Sequence, residues 1–124
     1  MKQVDTLFTN AFVLTMDEQF RQFTSGAVAV LGDSIVGVGE EADLKQQYTA
    51  KSTIDCGGKI LMPGLINAHT HAPMTLMRGL ADDLRLDVWL MGYMMPVERE
   101  FVSPEFVFLG TQLACAEMVR GGTT

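Results

Sequence analysis

The stretch Met62-Pro63-Gly64-Leu65-Ile66-Asn67-Ala68-His69-Thr70-His71 decides how the rest of the sequence is interpreted. Its apolar run, Leu65–Ala68, follows a Pro-Gly break and ends in polar residues, which favours a buried parallel strand covered on both faces. Its two histidines are the only ones in the chain. Alternate residues of a strand point to the same face, so both imidazoles could reach one metal ion. The alternative is a polar pair that caps a strand.

Helical patterns follow this stretch. Apolar residues recur from Val88 to Met95, and we expect a helix that is closed by Pro96. A second helix is expected with Ser103 as its N-cap and Gly121-Gly122 at its end. The residues after it have the pattern of a second strand, so strand, connection, helix and strand form one βα unit and the start of another. A 3.6-residue period predicts an apolar face on the second helix that contains Phe106, Leu109, Leu113, Ala116 and Val119.

Patterns typical of β-strands precede the stretch. Ala27–Leu31 and Ile35–Val38 flank Gly32-Asp33, which predicts a hairpin. Glu40–Tyr48 is compatible with a short surface helix, and Cys56–Lys59 is expected to be a turn between two short strands. The first half of the chain is therefore predicted to be a small antiparallel sheet with few helices.

Composition and charge narrow the class of protein. The chain has 124 residues, of which 48% are hydrophobic and 19% charged, so it can bury a core. Fifteen acidic residues against nine scattered basic ones give a net charge of −6, and we expect neither a nucleic acid nor a membrane as partner. No apolar stretch approaches the roughly 20 residues of a membrane span. Cys56 and Cys115 suit free thiols in a reducing cytosol, so the expected location is cytoplasmic.

The predicted parallel strand at Leu65–Ala68 lacks enough neighbouring strands within this sequence to form a sheet. Strands of a parallel sheet are flanked on both sides, and one βα unit cannot enclose a core around Leu65–Ala68. We therefore expect this sequence to be the N-terminal piece of a longer protein.

The stretch from Met62 to His71 strongly resembles the first barrel strand of the amidohydrolase superfamily. The similarity continues through Ala72–Leu84, Trp89-Leu90, Pro96-Val97-Glu98 and Glu117–Thr124. Within the superfamily, this string is most similar to the 5′-methylthioadenosine/S-adenosylhomocysteine deaminases. The two-histidine motif belongs to the whole superfamily, whereas the residues after it carry the likeness to the deaminases.

The resemblance implies a mixed α/β fold. Residues 1–60 would be the N-terminal segment of a β-sandwich domain, and residues 61–124 the start of a metal-dependent (β/α)8 TIM-type barrel. It also implies hydrolytic deamination at C6 of an adenine ring, in which one divalent ion, commonly zinc, lowers the pKa of a bound water. The substrate would be 5′-methylthioadenosine, S-adenosylhomocysteine or a related adenosine analogue, which becomes its inosine form.

The resemblance assigns roles to four residues. His69 and His71 would be metal ligands at the carboxyl end of the first barrel strand, where barrel active sites are built. Glu98 would bind the ribose hydroxyls, since a carboxylate offers two acceptor oxygens to a vicinal diol; the alternative is a solvated glutamate. Trp89 would lie near the nucleoside, and the alternative is a core anchor of its helix. The family's further ligands and its proton-shuttling residues would fall beyond Thr124, so no catalytic residue is expected within the chain.

The paired aspartates and the methionines of this region could also be functional, but structural roles are the commoner interpretation. Asp82 and Asp83 are adjacent and do not share a helix face, and Arg78 and Arg85 are expected to solvate them. The methionines could form a pliable apolar wall for a thioether or purine, although core filling is the commoner use and a copper site is a third choice. These methionines are Met74, Met77, Met91, Met94 and Met95.

Two alternative functions stay open. One is another member of the superfamily, such as a guanine or cytosine deaminase or a triazine-type chlorohydrolase, because the metal-binding strand is shared. The other is a non-catalytic fragment or assembly module. The expected partners are a small-molecule nucleoside substrate and, among proteins, either a second copy of the chain or a complementing C-terminal portion.

Overall fold

A computed structural model describes residues 1–124, which divide into two compact units. The first unit is Met1–Pro63 and the second is Gly64–Thr124. Their assignment to a sandwich domain and a barrel domain stays a prediction. No helix has the length and apolar character needed to cross a membrane.

The first unit is built on one five-stranded sheet with the order β3-β2-β1-β4, and β5 pairs with the far part of β1. One short helix, α1, connects β3 to β4. The elements are β1 (Lys2–Leu14), β2 (Gln22–Leu31), β3 (Ser34–Glu40), α1 (Glu41–Gln47), β4 (Tyr48–Asp55) and β5 (Ile60–Leu61).

The hairpin and the short helix predicted from the sequence are confirmed. Strands β2 and β3 pair antiparallel down to Leu31 and Ser34, and Gly32 takes the left-handed conformation that the turn needs, with φ 61°. The prediction of a purely antiparallel sheet is wrong, because β4 and β5 both run parallel to β1. A parallel pair needs a crossover connection, and α1 provides one from β3 to β4.

Small residues shape the core of the first unit. The ring of Tyr48 lies across β3 at Gly37, where an added Cβ would come within 2.8 Å of the ring. The Tyr48 hydroxyl donates a hydrogen bond of 2.7 Å to the carbonyl of Val36, so its polar end is satisfied. The buried cluster around this ring contains Val4, Leu7, Ala27, Ala29 and Leu44.

The second unit is mainly helical. A 3₁₀ helix (Ala72–Met77) and a π-helical segment (Val88–Met94) precede α2 (Met95–Phe101) and α3 (Pro104–Arg120). The predicted N-cap of α3 is confirmed, since Ser103 Oγ accepts a hydrogen bond of 3.1 Å from the amide of Phe106. Its predicted end at Gly121 is also confirmed.

Three predictions for the second unit are wrong. Pro96 does not close a helix, because helical backbone continues from the π-helical segment into α2, and the wider π turn, which pairs the amide of Met95 with the carbonyl of Leu90, accommodates the proline at the second position of α2. The run Leu65–Ala68 is not a buried strand, since Leu65 and Ile66 are 52% and 86% exposed and only one strand segment of this unit pairs with it. The predicted apolar face of α3 is exposed except for the half-buried Phe106, and the buried positions are instead Gly110 and Ala114.

Candidate metal and nucleoside site

His69 and His71 lie just beyond a short parallel pairing of two chain segments. Leu65 pairs with Thr123, the amide of Leu65 donates to the carbonyl of Gly122 at 2.8 Å, and the amide of Thr124 donates to Leu65 at 2.9 Å. The predicted start of a second strand after α3 is therefore confirmed. The histidines follow the carboxyl end of the first segment, which is the end where parallel-strand proteins build their sites.

The two imidazoles face each other. Their Nε2 atoms are 3.2 Å apart, and their ring centroids are separated by 5.2 Å with an interplanar angle of 42°. In the absence of a metal, one ring nitrogen can donate to the other. Two nitrogens bound to one tetrahedral zinc, with bonds of about 2.0–2.1 Å, would lie about 3.3 Å apart. The pair therefore fits two corners of a tetrahedral zinc site, and both side chains are exposed enough to receive the ion.

The chain contributes only these two residues to such a site. No group of three or more histidine, cysteine, aspartate or glutamate side chains is arranged to hold a metal ion. A structural or catalytic zinc has three or four protein ligands. Two imidazoles alone predict weak metal binding by this chain.

Asn67 holds the backbone of the first histidine, and the sequence analysis missed it. Its Oδ1 accepts a hydrogen bond of 3.1 Å from the amide of His69. Its Nδ2 approaches the sulfur of Met118 in α3 at 3.5 Å. An asparagine that bonds to the backbone two residues on is a recognisable turn pattern, so the spacing of Asn67 and His69 was the available signal.

One cavity brings together two of the predicted site residues. It lies within the second unit, has a volume of about 540 Å³, and is lined by His71 and Glu98. Glu98 is half-buried and forms no ion pair. The rest of the lining is mostly apolar, with Pro73, Met74, Met77, Met95, Val102, Phe106 and Val107, and it also includes Arg99.

Trp89 does not share that cavity. It is half-buried and lines a separate cavity of about 310 Å³, together with the buried Met94. Met74 and Met77 line both cavities, so a thioether wall separates Trp89 from Glu98. The structure therefore brings His71 and Glu98 together and leaves Trp89 on the other side of these methionines.

The predicted solvation of Asp82 and Asp83 by arginines is wrong. Arg78 instead makes a bidentate ion pair with Glu117, with bonds of 3.0 and 2.6 Å, and Arg85 pairs with Asp87 at 2.8 Å. Hydrogen bonds from the Arg78 guanidinium hold the pKa of Glu117 below its ordinary value. This pair fastens the end of the 3₁₀ helix to α3, the two elements that flank the histidines.

Comparisons with known proteins define the family. Residues 60–124 match the sequence profile of the amidohydrolase family, and this chain belongs to that family. It is 45% identical over 124 residues to a 5-methylthioadenosine/S-adenosylhomocysteine deaminase of Syntrophus aciditrophicus, and 50% identical over 122 residues to one of Syntrophobacter fumaroxidans. These matches cover 100% and 98% of this chain but 28% of each relative, so the chain spans less than a third of their length.

Solved structures give the same relationship. An adenosine deaminase from Xanthomonas campestris with bound zinc matches with a TM-score of 0.85 and 46% identity, over 99% of this chain and 28% of that one. An atrazine chlorohydrolase from Arthrobacter aurescens, complexed with zinc and atraton, matches with a TM-score of 0.75 and 27% identity, over 96% and 27%. The mixed α/β fold is therefore that of amidohydrolases whose solved structures hold zinc.

Proposed function

We propose that this chain forms the first part of a metal-dependent hydrolytic deaminase. The substrate would be 5′-methylthioadenosine, S-adenosylhomocysteine or a related adenosine analogue, deaminated at C6 of the purine. The observation that carries the proposal is the cavity that His71 and Glu98 line together. The relatives named as deaminases for these two nucleosides, at 45% and 50% identity, support the choice of substrate.

His69 and His71 would hold the metal, and zinc fits the separation of their Nε2 atoms. When bound, the zinc would supply a Lewis acid that makes hydroxide available near neutral pH. The remaining ligands and the residues that move protons would come from the part of the enzyme that this chain does not span. We likewise propose that residues 1–60 belong to a β-sandwich domain and 61–124 to a (β/α)8 barrel.

Glu98 would orient the substrate through its ribose. Its two carboxylate oxygens can accept hydrogen bonds from both hydroxyls of the diol, and charge-assisted bonds of this kind are strong in a half-buried setting. The apolar wall of Met74, Met77 and Met95 would exclude water from the same cavity. Trp89, behind those methionines, would support the wall rather than touch the ribose.

A chimera tests the proposal directly. In the Syntrophobacter fumaroxidans deaminase, these 124 residues replace the segment to which they are 50% identical. We expect the chimera to convert 5′-methylthioadenosine to its inosine form, as followed by ammonia release. His69→Ala should lower kcat/KM at least about a hundredfold, because it removes a metal ligand, whereas Thr70→Ala should leave it within about twofold. A folded, zinc-containing chimera that deaminates no adenosine analogue would refute the proposal.

The chlorohydrolase match favours a second candidate, a triazine-type hydrolase. Glu98 separates the two, since a triazine has no ribose diol. Glu98→Gln in the chimera should raise KM for 5′-methylthioadenosine by about tenfold, because a carboxamide has one acceptor oxygen instead of two. Unchanged nucleoside kinetics in this variant would favour a substrate without ribose.

The isolated chain is expected to release no ammonia from adenosine analogues, because it offers no group of three metal ligands and the residues that move protons are proposed to lie in the part of the enzyme that it does not span. We expect zinc binding that is weak and lost in His71→Ala. Ammonia release by the pure chain that disappears in His71→Ala would instead place a complete site within these 124 residues.

A further inference from the structure

Three methionines and a histidine line one cavity of the second unit. Met74, Met77 and Met95 border the cavity of about 540 Å³ together with His71. The chain has nine methionines in all, so its thioethers are concentrated here rather than spread evenly. Thioether sulfur is a soft donor that selects Cu(I), and imidazole nitrogen also suits copper. The donor set is therefore one that suits a soft ion and not a hard ion such as Mg²⁺.

The 3₁₀ helix places three of these four residues in one row. His71 is its N-cap, and the carbonyl of His71 accepts a hydrogen bond of 2.9 Å from the amide of Met74. A 3₁₀ helix has three residues per turn, so side chains three positions apart eclipse, as at His71, Met74 and Met77. Successive members of this row are separated by about 6 Å along the helix axis. A methionine side chain has three rotatable bonds, so its sulfur can close that gap around one ion.

Met95 provides the fourth donor from a second element. It is the first residue of α2 and is 47% exposed. Core packing therefore accounts for only part of its environment, and the residue is accessible to an incoming ion. The cavity wall carries one charge of each sign, on Glu98 and Arg99, while the chain has a net charge of −6. The field of the whole chain thus favours a cation.

We propose that this cavity binds Cu(I) through the sulfurs of Met74, Met77 and Met95 and an imidazole nitrogen of His71. The proposal does not depend on the proposed function, because it uses only donors of this chain. It has a consequence for that function, since His71 would also serve zinc. A bound Cu(I) ion would occupy the cavity and withdraw this imidazole, so Cu(I) is expected to compete with zinc for the chain.

Two simpler explanations have to be separated from this proposal. The methionines could serve only as flexible filling of an irregular core, and Met77 is indeed only 8% exposed. Cu(I) could also bind to His69 and His71 alone, whose Nε2 atoms are 3.2 Å apart. Only the proposed site places the ion against thioether sulfur. The decisive signal is therefore that of the methionine methyl groups.

The experiment titrates the full 124-residue chain, labelled with ¹³C at the methionine methyl groups, with Ag(I). Ag(I) is a soft ion of the same charge as Cu(I) that needs no protection from oxidation. Cys56 and Cys115 are free thiols that would bind either ion, so both are replaced by serine. The methyl spectrum then reports thioether binding without competition from thiolates.

Ag(I) should shift the methyl resonances of Met74, Met77 and Met95 together, with saturation at one ion per chain. Met91 is the internal control, because it is 69% exposed yet does not line the cavity, and its resonance should stay in place. Unmoved resonances at the cavity, or equal shifts at Met91, would overturn the proposal. The first outcome assigns any bound ion to the histidines alone, and the second assigns it to exposed thioethers in general.

Cu(I) affinity of the same cysteine-free chain is measured anaerobically by competition with a chromophoric Cu(I) chelator. Met74→Leu should weaken it at least about tenfold, because it removes one of four donors while both histidines stay. Leucine conserves the volume of methionine, so the fold is retained, which amide spectra check. Met91→Leu is the matched control and should remain within about twofold of the parent. Equal Cu(I) affinities of the two leucine variants would refute the proposal.

Discussion

At the scale of single residues, Asn67 determines how the histidine pair is presented. Its side chain accepts from the amide of His69 and reaches Met118 in α3, so one carboxamide connects the histidine loop to a helix. The bond to the amide fixes the backbone from which the imidazole projects. Partners that hydrogen-bond the side chain of a metal ligand commonly change metal affinity by about ten- to a hundredfold, and a bond to the backbone of the ligand is expected to act at the lower end of that range.

Asn67→Ala is expected to weaken zinc binding by the chain about tenfold, because it removes the acceptor that orders His69. Asn67→Asp keeps an acceptor oxygen and should remain within about threefold of the parent. Zinc affinity is measured by competition with a chromophoric chelator, and Thr70→Ala serves as the control between the two histidines. Equal affinities in the alanine and aspartate variants would show that the hydrogen bond has no such role.

Two side-chain pairs show which features of the site could be predicted from the sequence. The spacing of His69 and His71 predicted that both imidazoles face one point, and their Nε2 atoms do approach to 3.2 Å. The pairing of Arg78 with Glu117 escaped prediction because it joins residues 39 positions apart. The spacing of residues that are close in sequence predicts which of their side chains face each other. The partner of a residue that is distant in sequence depends on how whole elements pack.

At the scale of elements, α3 packs through its small residues. An added Cβ at Gly110 would come within 2.5 Å of the carbonyl oxygen of Pro73, so the 3₁₀ helix lies directly against the backbone of α3. The larger apolar residues of α3 point elsewhere, and Phe108 and Val119 are 65% and 73% exposed. A period of 3.6 identifies candidate faces of a helix, but the partner element decides which one is buried.

Gly110→Ala should destabilise the second unit. The overlap with a backbone carbonyl costs about 1–3 kcal/mol, more than the helix propensity that alanine gains. Gly92→Ala is the matched control, because apart from its chain neighbours and the backbone of its own helical segment no atom lies within 4 Å of its added Cβ, and it should be neutral or stabilising by up to about 1 kcal/mol. Thermal unfolding of both variants measures the difference, and a stabilised Gly110→Ala would mean that the two elements are not in close contact.

The ion pair between Arg78 and Glu117 predicts a dependence on pH. Hydrogen bonds from Arg78 lower the pKa of Glu117 in the folded chain, so the pair stabilises the fold above the ordinary glutamate pKa of 4.5. The stabilisation is lost as the pH falls through the lowered pKa. Between pH 6 and about pH 3, the unfolding midpoint of the parent should therefore fall more than that of Glu117→Gln. Parallel curves for the two proteins would contradict a contribution from this pair.

Elements defined by local signals were predictable, and those defined by distant pairing were not. The Ser103 cap, the Gly121 end and the turn at Gly32 each depend on a few adjacent residues. The parallel placement of β4 depends on where α1 carries the chain, which no pattern within β4 reveals. The cavity shared by His71 and Glu98 likewise depends on how α2 and the 3₁₀ helix meet.

At the scale of the whole molecule, the two units differ in how much apolar surface they bury. Nine of the twelve buried hydrophobic residues lie in Met1–Pro63, and three lie in Gly64–Thr124, namely Met77, Met94 and Ala114. Buried apolar area supplies most of the favourable free energy of folding. The second unit, which carries the candidate site, should therefore open at a lower free energy than the first.

Hydrogen exchange of the full chain tests this difference and its link to the metal. Amides of β1 should exchange at least about a hundredfold more slowly than amides of α3, since β1 contributes to both core clusters of the first unit. Zinc at about 100 times its Kd should slow α3 by up to about a hundredfold, because binding to the closed form alone stabilises it by about 2.7 kcal/mol, and β1 should not respond. In His71→Ala the zinc effect on α3 should disappear. Protection of β1 by zinc, or persistence of the effect in that variant, would show that the ion binds away from the histidine pair.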